Sequence, residues 1–427
     1  MSENRYMIGV DIGTSKVRVV IGSLASTDGP DGRSLDGDTI TIVGVGEYAS
    51  QGMRKGTIAD IGKVTISLDK AMAVAEGMSG VDIQEAVVGI NGSHIAGMAS
   101  RGLITVDQTK PIGNSEVDRV IDAATQVKLS ANREIVSVEP HFYKIDNQEG
   151  IRDPLDMSGV RLEVEVYMVT ALRPNIKNLD QVLEQANLVS SQFYQPVGLV
   201  AASLALSDQQ KENGAVMIDI GHSTTNIVVY EEGDVIFVKT LPVGSNNITT
   251  DLAIGLKADL DVAERVKLEH AVASPGLRRG NETTVSLNIG NGPSAQKLTF
   301  KTELIDDIVE ARLSELFELI NKELKRIKKQ ANLPGGAVLT GGGAKLRGLV
   351  DYAREALGMN VHLYKMPAAY KGLADKVKDP GWTVALGLME RDAQQGGSSG
   401  DGHSSRPGIL SGIVGRIASL FARRNGR

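Results

Sequence analysis

An internal repeat constrains the fold of this chain more than any other feature of its sequence. The segment 10–15 recurs as 218–223 at one constant offset, so Asp11 and Asp219 each end an apolar run and precede a glycine two residues later. An apolar run, a turn of small and hydroxyl residues, and a second β-branched run predict a β-hairpin in each copy. The chain is therefore predicted to contain two similarly built halves, the alternative being a coincidence between two ordinary hydrophobic hairpins.

The turns of both hairpins have the composition of a phosphate-binding site. Glycines let the backbone approach a phosphate, and N–H groups and hydroxyls donate hydrogen bonds to its oxygens. Asp11 and Asp219 are predicted to face a hydrated Mg²⁺, because this ion prefers carboxylates and retained water. Lys16 is a candidate phosphate partner, with a merely solvated lysine as the alternative. The predicted phosphate contacts are Gly13, Thr14, Ser15, Lys16, Gly221, His222, Ser223, Thr224 and Thr225.

A third glycine-rich element lies downstream of both hairpins. Residues 337–340 read as a short buried strand, and 341–349 read as a turn that enters a helix. Three consecutive glycines at such a junction suit the close approach of a flat ligand such as adenine. This motif is weak alone, but the order of the three elements predicts a nucleotide in a cleft between the halves. The predicted contacts in the third element are Gly341, Gly342, Gly343, Ala344 and Arg347.

Together these motifs resemble those of the actin, sugar-kinase and heat-shock-chaperone ATPase superfamily. The resemblance implies an α/β fold, actin-like, with duplicated ribonuclease-H-like halves, inserted subdomains, and ATP with Mg²⁺ in the central cleft. In that superfamily, polar residues on a helix of the second half bind the ribose and the adenine. The matching residues here are Glu264 and Lys267, for which an ordinary intrahelical ion pair is the alternative.

Within the superfamily the chain resembles the FtsA family of bacterial cell-division proteins, on residues outside the ATP motifs: 50–56, 145–154 and 157–162. The resemblance implies a filament that ties the ring of the tubulin-like protein FtsZ to the cytoplasmic face of the inner membrane at the division septum, and that recruits later divisome proteins. It also implies that the second insertion binds the C-terminal peptide of FtsZ. Arg312 and Glu315 are the candidates for that contact.

Composition shifts and the resemblance divide the chain into cores, insertions and a tail. The first-half core is predicted at 1–92, 163–204 and 370–392, and the second-half core at 205–250 and 333–369. The inserted subdomain typical of the family is predicted at 93–162, and the second-half insertion at 251–332. Within that second insertion, apolar periodicity predicts a long helix over Thr302–Gln330 and a shorter one over Asp261–His270.

The last part of the chain reads as a tethered membrane helix. Residues 393–408 are rich in Gly, Ser and Gln and predict a flexible linker, with an r.m.s. reach of roughly 20 to 24 Å. Residues 409–427 combine an apolar stripe with arginines and no acidic residue, which predicts a basic amphipathic helix on an anionic lipid surface, the alternative being a helix docked on the protein's own core. The predicted membrane contacts are Ile409, Leu410, Ile413, Val414, Arg416, Ile417, Leu420, Phe421, Arg423 and Arg424.

Charge and composition exclude several other classes of function. With 46 Lys and Arg against 52 Asp and Glu, the net charge is −6. The chain therefore lacks the overall positive charge that is typical of nucleic-acid-binding proteins. The absence of cysteine (0 residues) excludes thiol nucleophiles and Cys-ligated metals. No run of about eighteen apolar residues occurs, and no signal peptide is recognisable, so a cytosolic chain without a membrane span is predicted.

The second hairpin departs from the superfamily pattern at two positions. His222 and Asn226 stand where the superfamily usually has a glycine and an aspartate. Losing that carboxylate predicts at most slow ATP hydrolysis, and no residue is assigned as the catalytic base. Two other functions remain open: a small-molecule kinase of the same superfamily, and a pilus-assembly-type platform protein. The basic amphipathic tail disfavours both.

Overall fold

The computed structural model describes residues 5–24, 39–191, 194–274, 276, 278, 283–289 and 296–395. The linker from residue 396 and the amphipathic segment 409–427, with all of its predicted membrane contacts, lie outside the described residues. In the part of the chain that is described, none of the helices combines the length and the apolar character that crossing a bilayer requires.

The first half opens as an antiparallel meander, followed by a small hairpin, a helix and a parallel strand. Its elements are β1 (Arg5–Ile12), β2 (Lys16–Leu24), β3 (Ile40–Ala49), β4 (Met53–Arg54), β5 (Thr57–Ile58), α1 (Ile61–Ser79) and β6 (Glu85–Ile90). Asp60 caps α1 by accepting a hydrogen bond from the Lys63 N–H, and Gly80 ends the helix in the left-handed conformation. The helix lies so close to β3 that a Cβ on Gly46 would be 1.9 Å from the Ala71 carbonyl oxygen.

An inserted α/β unit follows β6 and has its own hydrophobic core. Its elements are β7 (Ala96–Thr105), α2 (Asn114–Thr125), β8 (Arg133–Ile145), β9 (Gln148–Ile151) and β10 (Arg161–Leu172). β10 pairs antiparallel with both β7 and β8, and α2 buries Val117, Val120 and Ile121 against this sheet. Burying such side chains contributes roughly 1.5 to 3 kcal/mol each, enough to hold a short helix that would be marginal in isolation.

The remaining elements complete the first half and build the second. In chain order they are α3 (Arg173–Gln185), β11 (Val189–Ser190), β12 (Gln195–Pro196), α4 (Val197–Ala205), α5 (Asp208–Asn213), β13 (Ala215–Ile220), β14 (Thr225–Glu231), β15 (Asp234–Leu241), α6 (Ser245–Leu256), α7 (Leu260–His270), β16 (Thr284–Ile289), β17 (Gln296–Lys301), α8 (Thr302–Arg326), β18 (Ala337–Thr340), α9 (Leu349–Leu357), β19 (Val361–Leu363), β20 (Lys371–Gly372) and α10 (Thr383–Gln395).

Both predicted hairpins are confirmed, and the two halves share one sheet pattern. β1 pairs antiparallel with β2 and parallel with β6, while β13 pairs antiparallel with β14 and parallel with β18. Asp11 lies opposite Arg18 in the first hairpin, and Asp219 lies opposite Asn226 in the second. The repeat in the sequence is therefore a repeat in the topology.

The strands form two large sheets. One has the order β11-β6-β1-β2-β3-β20, with β12 also on β6, and the other has the order β19-β18-β13-β14-β15-β7-β10-β8-β9. The inserted unit thus extends the sheet of the second half, although it interrupts the first half in sequence. β15 meets β7 at the pair Lys239 and Ala96, and Arg152 of the inserted unit pairs with Asp234 at 2.7 Å.

Three predicted boundaries differ from the structure. The inserted unit, predicted at 93–162, continues to Leu172, because β10 pairs along its length with β7 and β8. The helix predicted over Thr302–Gln330 ends at Arg326, because Lys328 adopts a left-handed φ of 61°. The sequence does not indicate this end, because the left-handed position is not occupied by glycine. The first three residues of the linker predicted at 393–408 instead belong to α10, which continues to Gln395 on residues with good helix propensity.

Candidate functional site

The two repeated aspartates lie close enough to influence each other's charge where the halves join. Asp219 is buried, and its Oδ2 accepts a hydrogen bond of 2.8 Å from the Asn226 Nδ2. The Thr240 hydroxyl donates to the Asn226 Oδ1 at 2.7 Å, which fixes the amide in this orientation. Asn226 therefore orients Asp219 by donating to it. A second aspartate there would add a negative charge beside the first.

The shared environment of the aspartates changes their proton affinity. Burial raises the pKa of Asp11 to about 7; the charge of Arg18 opposes this rise and the charge of Asp219 adds to it. Burial also raises the pKa of Asp219, against the Asn226 hydrogen bond and the charge of Arg18. Two carboxylates in one site disfavour each other's ionisation, which favours a cation between them.

The turns of the two hairpins have the same geometry. The Gly13 N–H donates to the Lys16 carbonyl at 3.1 Å, and the Gly221 N–H donates to the Thr224 carbonyl at 2.8 Å. Both turns also contact the same part of the first half. The Thr14 hydroxyl accepts from the Gly56 N–H at 3.2 Å, and the Asn91 amide donates to the Thr224 hydroxyl at 3.3 Å.

The hydroxyl residues of the turns differ in their freedom to meet a ligand. Ser15 is exposed and Ser223 is half-buried. Thr225 is fully buried, and its hydroxyl donates to the Val243 carbonyl at 2.8 Å. Thr225, predicted as a phosphate contact, therefore supports the second turn from inside the fold.

The third glycine-rich loop lies directly against Asp219. Gly341 has a φ of 86°, and a Cβ there would be 2.3 Å from the Asp219 Oδ1. Gly343 packs on the Ile220 carbonyl, and Ala344 is buried in the same loop. Gly342 differs, since a Cβ there would meet no atom within 4 Å. Close packing therefore requires glycine at 341 and 343, while position 342 opens outward.

Arg347 ends the third loop and is exposed. Its carbonyl accepts a 2.9 Å hydrogen bond from the Ala273 N–H, which joins the loop to the segment after α7.

The residues predicted to bind ribose and adenine form a partly buried polar cluster. Lys267 is 8% exposed, and its Nζ donates to the Glu264 Oε2 at 2.7 Å and to the Thr249 hydroxyl at 2.8 Å. His222 faces the same cluster: burial lowers its pKa, the charge of Lys267 lowers it further, and Glu264 acts in the opposite direction. The structure thus brings α7 against the second turn, and His222 stays neutral at physiological pH.

A small cavity adjoins the third loop. Its wall is mainly apolar, with one charged residue, and is formed by Ile220, Val243, Gly244, Ser245, Ile248, Arg312, Leu313, Leu316, Gly343, Leu346 and Leu349. The Arg312 Nε donates to the Asp251 Oδ2 at 2.6 Å, and its Nη1 pairs with Glu315. Arg312, predicted from the resemblance as a partner contact, therefore lies between this cavity and the surface.

Lys16, predicted as a phosphate partner, takes part in an ion pair at the start of β2. Its ammonium group pairs with Glu47, which also accepts a 2.9 Å hydrogen bond from the Arg18 Nε. Burial acts to raise the pKa of Glu47, but the hydrogen bonds and charges of Lys16 and Arg18 hold it below its ordinary value.

Arg18 was missed by the motif analysis, although the register of the hairpin could have revealed it directly across from Asp11. Its side chain is only 17% exposed, whereas that of Lys16 is 45% exposed.

A second small cavity lies beside the first turn and was not anticipated from the sequence. Ile12, Gly56, Asn91, His94 and Asn175 contribute to its wall. Burial lowers the pKa of His94 to about 4, with a further contribution from Arg133, so the ring is neutral at physiological pH. Neither ring nitrogen has a hydrogen-bond partner among the described residues.

Comparison with known proteins gives consistent matches along the chain. The family model described as "Cell division protein FtsA" matches residues 216–387, and the one described as "SHS2 domain inserted in FTSA" matches 92–170. The chain is 32% identical over 411 residues to the cell division protein FtsA of Pseudomonas aeruginosa, covering 95% of each chain. It is 35% identical over 392 residues to that of Bacillus subtilis, covering 91% of this chain and 84% of the relative.

Solved structures with the same fold are more distant in sequence. A chain of a PilM-PilN type IV pilus biogenesis complex superposes with a TM-score of 0.61 at 18% identity, covering 90% of this chain and 98% of that chain. MreB5 of Spiroplasma citri bound to ADP gives 0.54 at 14% identity, covering 93% and 99%. These likenesses confirm the predicted actin-like α/β fold.

Proposed function

We propose, since the chain belongs to the FtsA family of cell-division proteins, that it binds Mg²⁺ and ATP between its halves, polymerises, and ties the FtsZ ring to the cytoplasmic face of the membrane at the septum. One observation carries the nucleotide part of this proposal. The two repeated aspartates converge at the junction of the halves, and the third glycine-rich loop packs on one of them.

The donor set at the aspartates fits Mg²⁺. Within the described residues, no group of three His, Cys, Asp or Glu side chains is arranged to hold a metal ion. A site with two carboxylates suits an ion that keeps several waters and takes further oxygens from phosphates. Asp11 and Asp219 would hold this cation, which supplies charge neutralisation to the phosphates when it is bound.

The other loops supply the remaining contacts of a nucleotide. Backbone N–H groups of the two turns would hold the phosphates, and the polar cluster of Glu264, Lys267 and Thr249 would bind the ribose. The adenine would lie against the third glycine-rich loop, where position 342 opens outward. MreB5 of Spiroplasma citri, which shares the fold, has been solved with ADP and with AMPPNP, which supports this assignment.

Slow hydrolysis at most is part of the proposal. The Asn226 amide is held by Thr240 on one side and Asp219 on the other, so it offers no basic oxygen to a water molecule. Nucleotide binding in this protein then acts chiefly as a structural signal that favours one arrangement of the halves. We assign no catalytic base.

Assembly converts weak membrane contacts into strong attachment. Each arginine of the tail would add about 1 kcal/mol on an anionic surface. One tail would bind weakly and reversibly, and a filament would present many tails to the same surface, so the contacts combine by avidity. The MamK double helical filament, with a TM-score of 0.50 at 16% identity, shows that this fold occurs in filaments.

Electron microscopy of the full-length chain on anionic lipid tests the proposal. Filaments or arcs are expected on the lipid with Mg²⁺ and ATP, and none without nucleotide, because only the nucleotide-bound protein assembles. An Asp219→Ala variant is the matched control and should remain unassembled under both conditions. Nucleotide binding without assembly or lipid attachment would contradict the proposal and favour a pilus-type platform or a small-molecule kinase.

The contact with the FtsZ C-terminal peptide is proposed at Arg312 and Glu315 on α8. The Glu315 side chain is 53% exposed and that of Arg312 is 22% exposed, so both can be reached from solvent. Arg312→Glu is expected to weaken peptide binding about tenfold, or about 1.4 kcal/mol, because it reverses the charge and breaks the pair with Asp251. Fluorescence anisotropy with a labelled peptide measures this.

Arg326→Glu is the control for this contact. Arg326 lies on the same helix and also pairs with a glutamate three residues away, but its side chain is 64% exposed. Equal losses in both variants would point to a general charge effect and would contradict a specific contact at Arg312.

A further inference from the structure

Arg18 is not among the predicted phosphate contacts, but it lies next to Asp11 in the first hairpin. The register of β1 and β2 places Arg18 opposite Asp11, and the register of β2 and β3 places it opposite Glu47. Its side chain is 17% exposed. The Nε donates to the Glu47 Oε2 at 2.9 Å, and the Nη1 donates to the Gly381 carbonyl at 2.8 Å.

Arg18 also touches a segment that contacts both halves. Its guanidinium lies 5.2 Å from the centroid of the Trp382 ring, a cation–π geometry. In the same segment, 379–382, the Pro380 carbonyl accepts hydrogen bonds from the Gly341 N–H and the Thr340 hydroxyl, both at 3.1 Å. This crossing segment therefore joins Arg18 to the third glycine-rich loop.

We infer that Arg18 is a positioning residue with two roles: it is the built-in counter-charge of the Asp11 and Asp219 pair, and it links the charge state of that pair to the third loop through the crossing segment. The inference rests on the proposed function, because it assumes that the pair takes a divalent cation with a nucleotide. It assigns to Arg18 the cationic role that the sequence suggested for Lys16.

The charge of Arg18 has opposite effects on the two ligands. Without a divalent cation, the guanidinium offsets part of the repulsion between the two carboxylates and attracts the phosphates of a nucleotide. When a divalent cation enters, the same positive charge repels it. Arg18 therefore raises the affinity for nucleotide in the absence of metal and lowers the gain in affinity that the metal supplies.

Arg18→Met tests this pair of effects, because it removes the charge and retains much of the apolar stem. We would measure the affinity for a fluorescent ATP analogue in EDTA and in saturating Mg²⁺. The variant is expected to bind about tenfold more weakly in EDTA and to show a Mg²⁺ enhancement several-fold larger than that of the unmodified protein. A purely structural role would weaken binding equally in both conditions.

Arg101→Met is the matched control. Arg101 also faces a glutamate across an antiparallel strand pair, with Glu165 at 2.8 Å, but it lies in the inserted unit and its side chain is 79% exposed. This variant should match the unmodified protein in both affinities. Arg18→Lys retains the charge and should keep the affinity in EDTA within about threefold, even if the methionine variant folds poorly.

The one tryptophan of the chain gives an independent readout. Trp382 lies in the crossing segment and is 6% exposed, so its emission reports on that segment alone. Adding Mg²⁺ to the nucleotide-bound protein should change this emission in the unmodified protein and in Arg101→Met, and the change should be lost in Arg18→Met.

The outcomes separate this inference from the proposed function. Unchanged affinities and an unchanged tryptophan response in Arg18→Met would overturn the inference, as would a lysine variant that behaves like the methionine variant. No nucleotide binding by the unmodified protein would instead contradict the proposed function, and the inference with it.

Discussion

Alanine at position 341 is expected to destabilise the folded protein by about 2 to 4 kcal/mol, the sum of a left-handed φ that disfavours any Cβ and a backbone collision. The φ of Gly341 is 86°, and the added Cβ would be 2.3 Å from the Asp219 Oδ1 and 2.6 Å from the Ile220 carbonyl oxygen. Both atoms belong to the end of β13, so the loop cannot move away without displacing Asp219. Nucleotide binding should therefore be lost as well.

Urea unfolding followed by circular dichroism measures the stability part of this prediction. Gly342→Ala is the control, because it adds the same methyl group one residue along the same loop, where no atom lies within 4 Å. Its unfolding midpoint should stay close to that of the unmodified protein. Equal midpoints for the two alanine variants would contradict the close packing of Gly341 on Asp219.

Ending the chain at Gln395 is expected to abolish pelleting with anionic liposomes while leaving nucleotide affinity unchanged. The predicted amphipathic helix and its linker are removed, whereas the residues around Asp11 and Asp219 are all retained. This end point keeps α10 complete, which a cut after Asp392 would not. Co-sedimentation and a nucleotide titration on the same preparation measure both parts.

Two single substitutions in the full-length chain make the tail prediction specific. Ile417→Asp puts a charge in the predicted apolar stripe and should reduce pelleting strongly. Ser419→Asp adds the same charge on the predicted polar face and should reduce it much less. Pelleting of the shortened chain at the level of the full chain would refute the membrane role of the tail.

The sequence predicts the parts of the site that depend on local chain geometry. Asp-x-Gly after an apolar run marks both hairpin turns, and the glycines of the third loop mark the close approach to β13. In each case a few neighbouring residues determine the conformation, because turns and strand ends follow from local sterics. The Glu264 and Lys267 assignment came from the resemblance alone, and the structure adds Thr249 as their buried partner.

Long-range contacts account for most of what was missed. Lys16 and Arg18 are two residues apart and equally basic, but only the strand pairing determines which side chain is enclosed by Asp11, Glu47 and Trp382. The end of α8 was missed for a different reason: Lys328 takes a left-handed φ without glycine. Position in the packed fold, not residue type, decides both cases.

The continuous sheet that runs from the second half into the inserted unit has a mechanical consequence. The chain enters and leaves that unit through the first half, while Arg152 and the pairing of Lys239 with Ala96 fasten it to the second. A rotation of one half against the other would strain the pairing of β15 with β7. This pairing is much shorter than the pairing of β14 with β15 and that of β7 with β10. Because β9 lies at the far edge of this sheet, we expect such a rotation to displace β9 more than the strands next to β15.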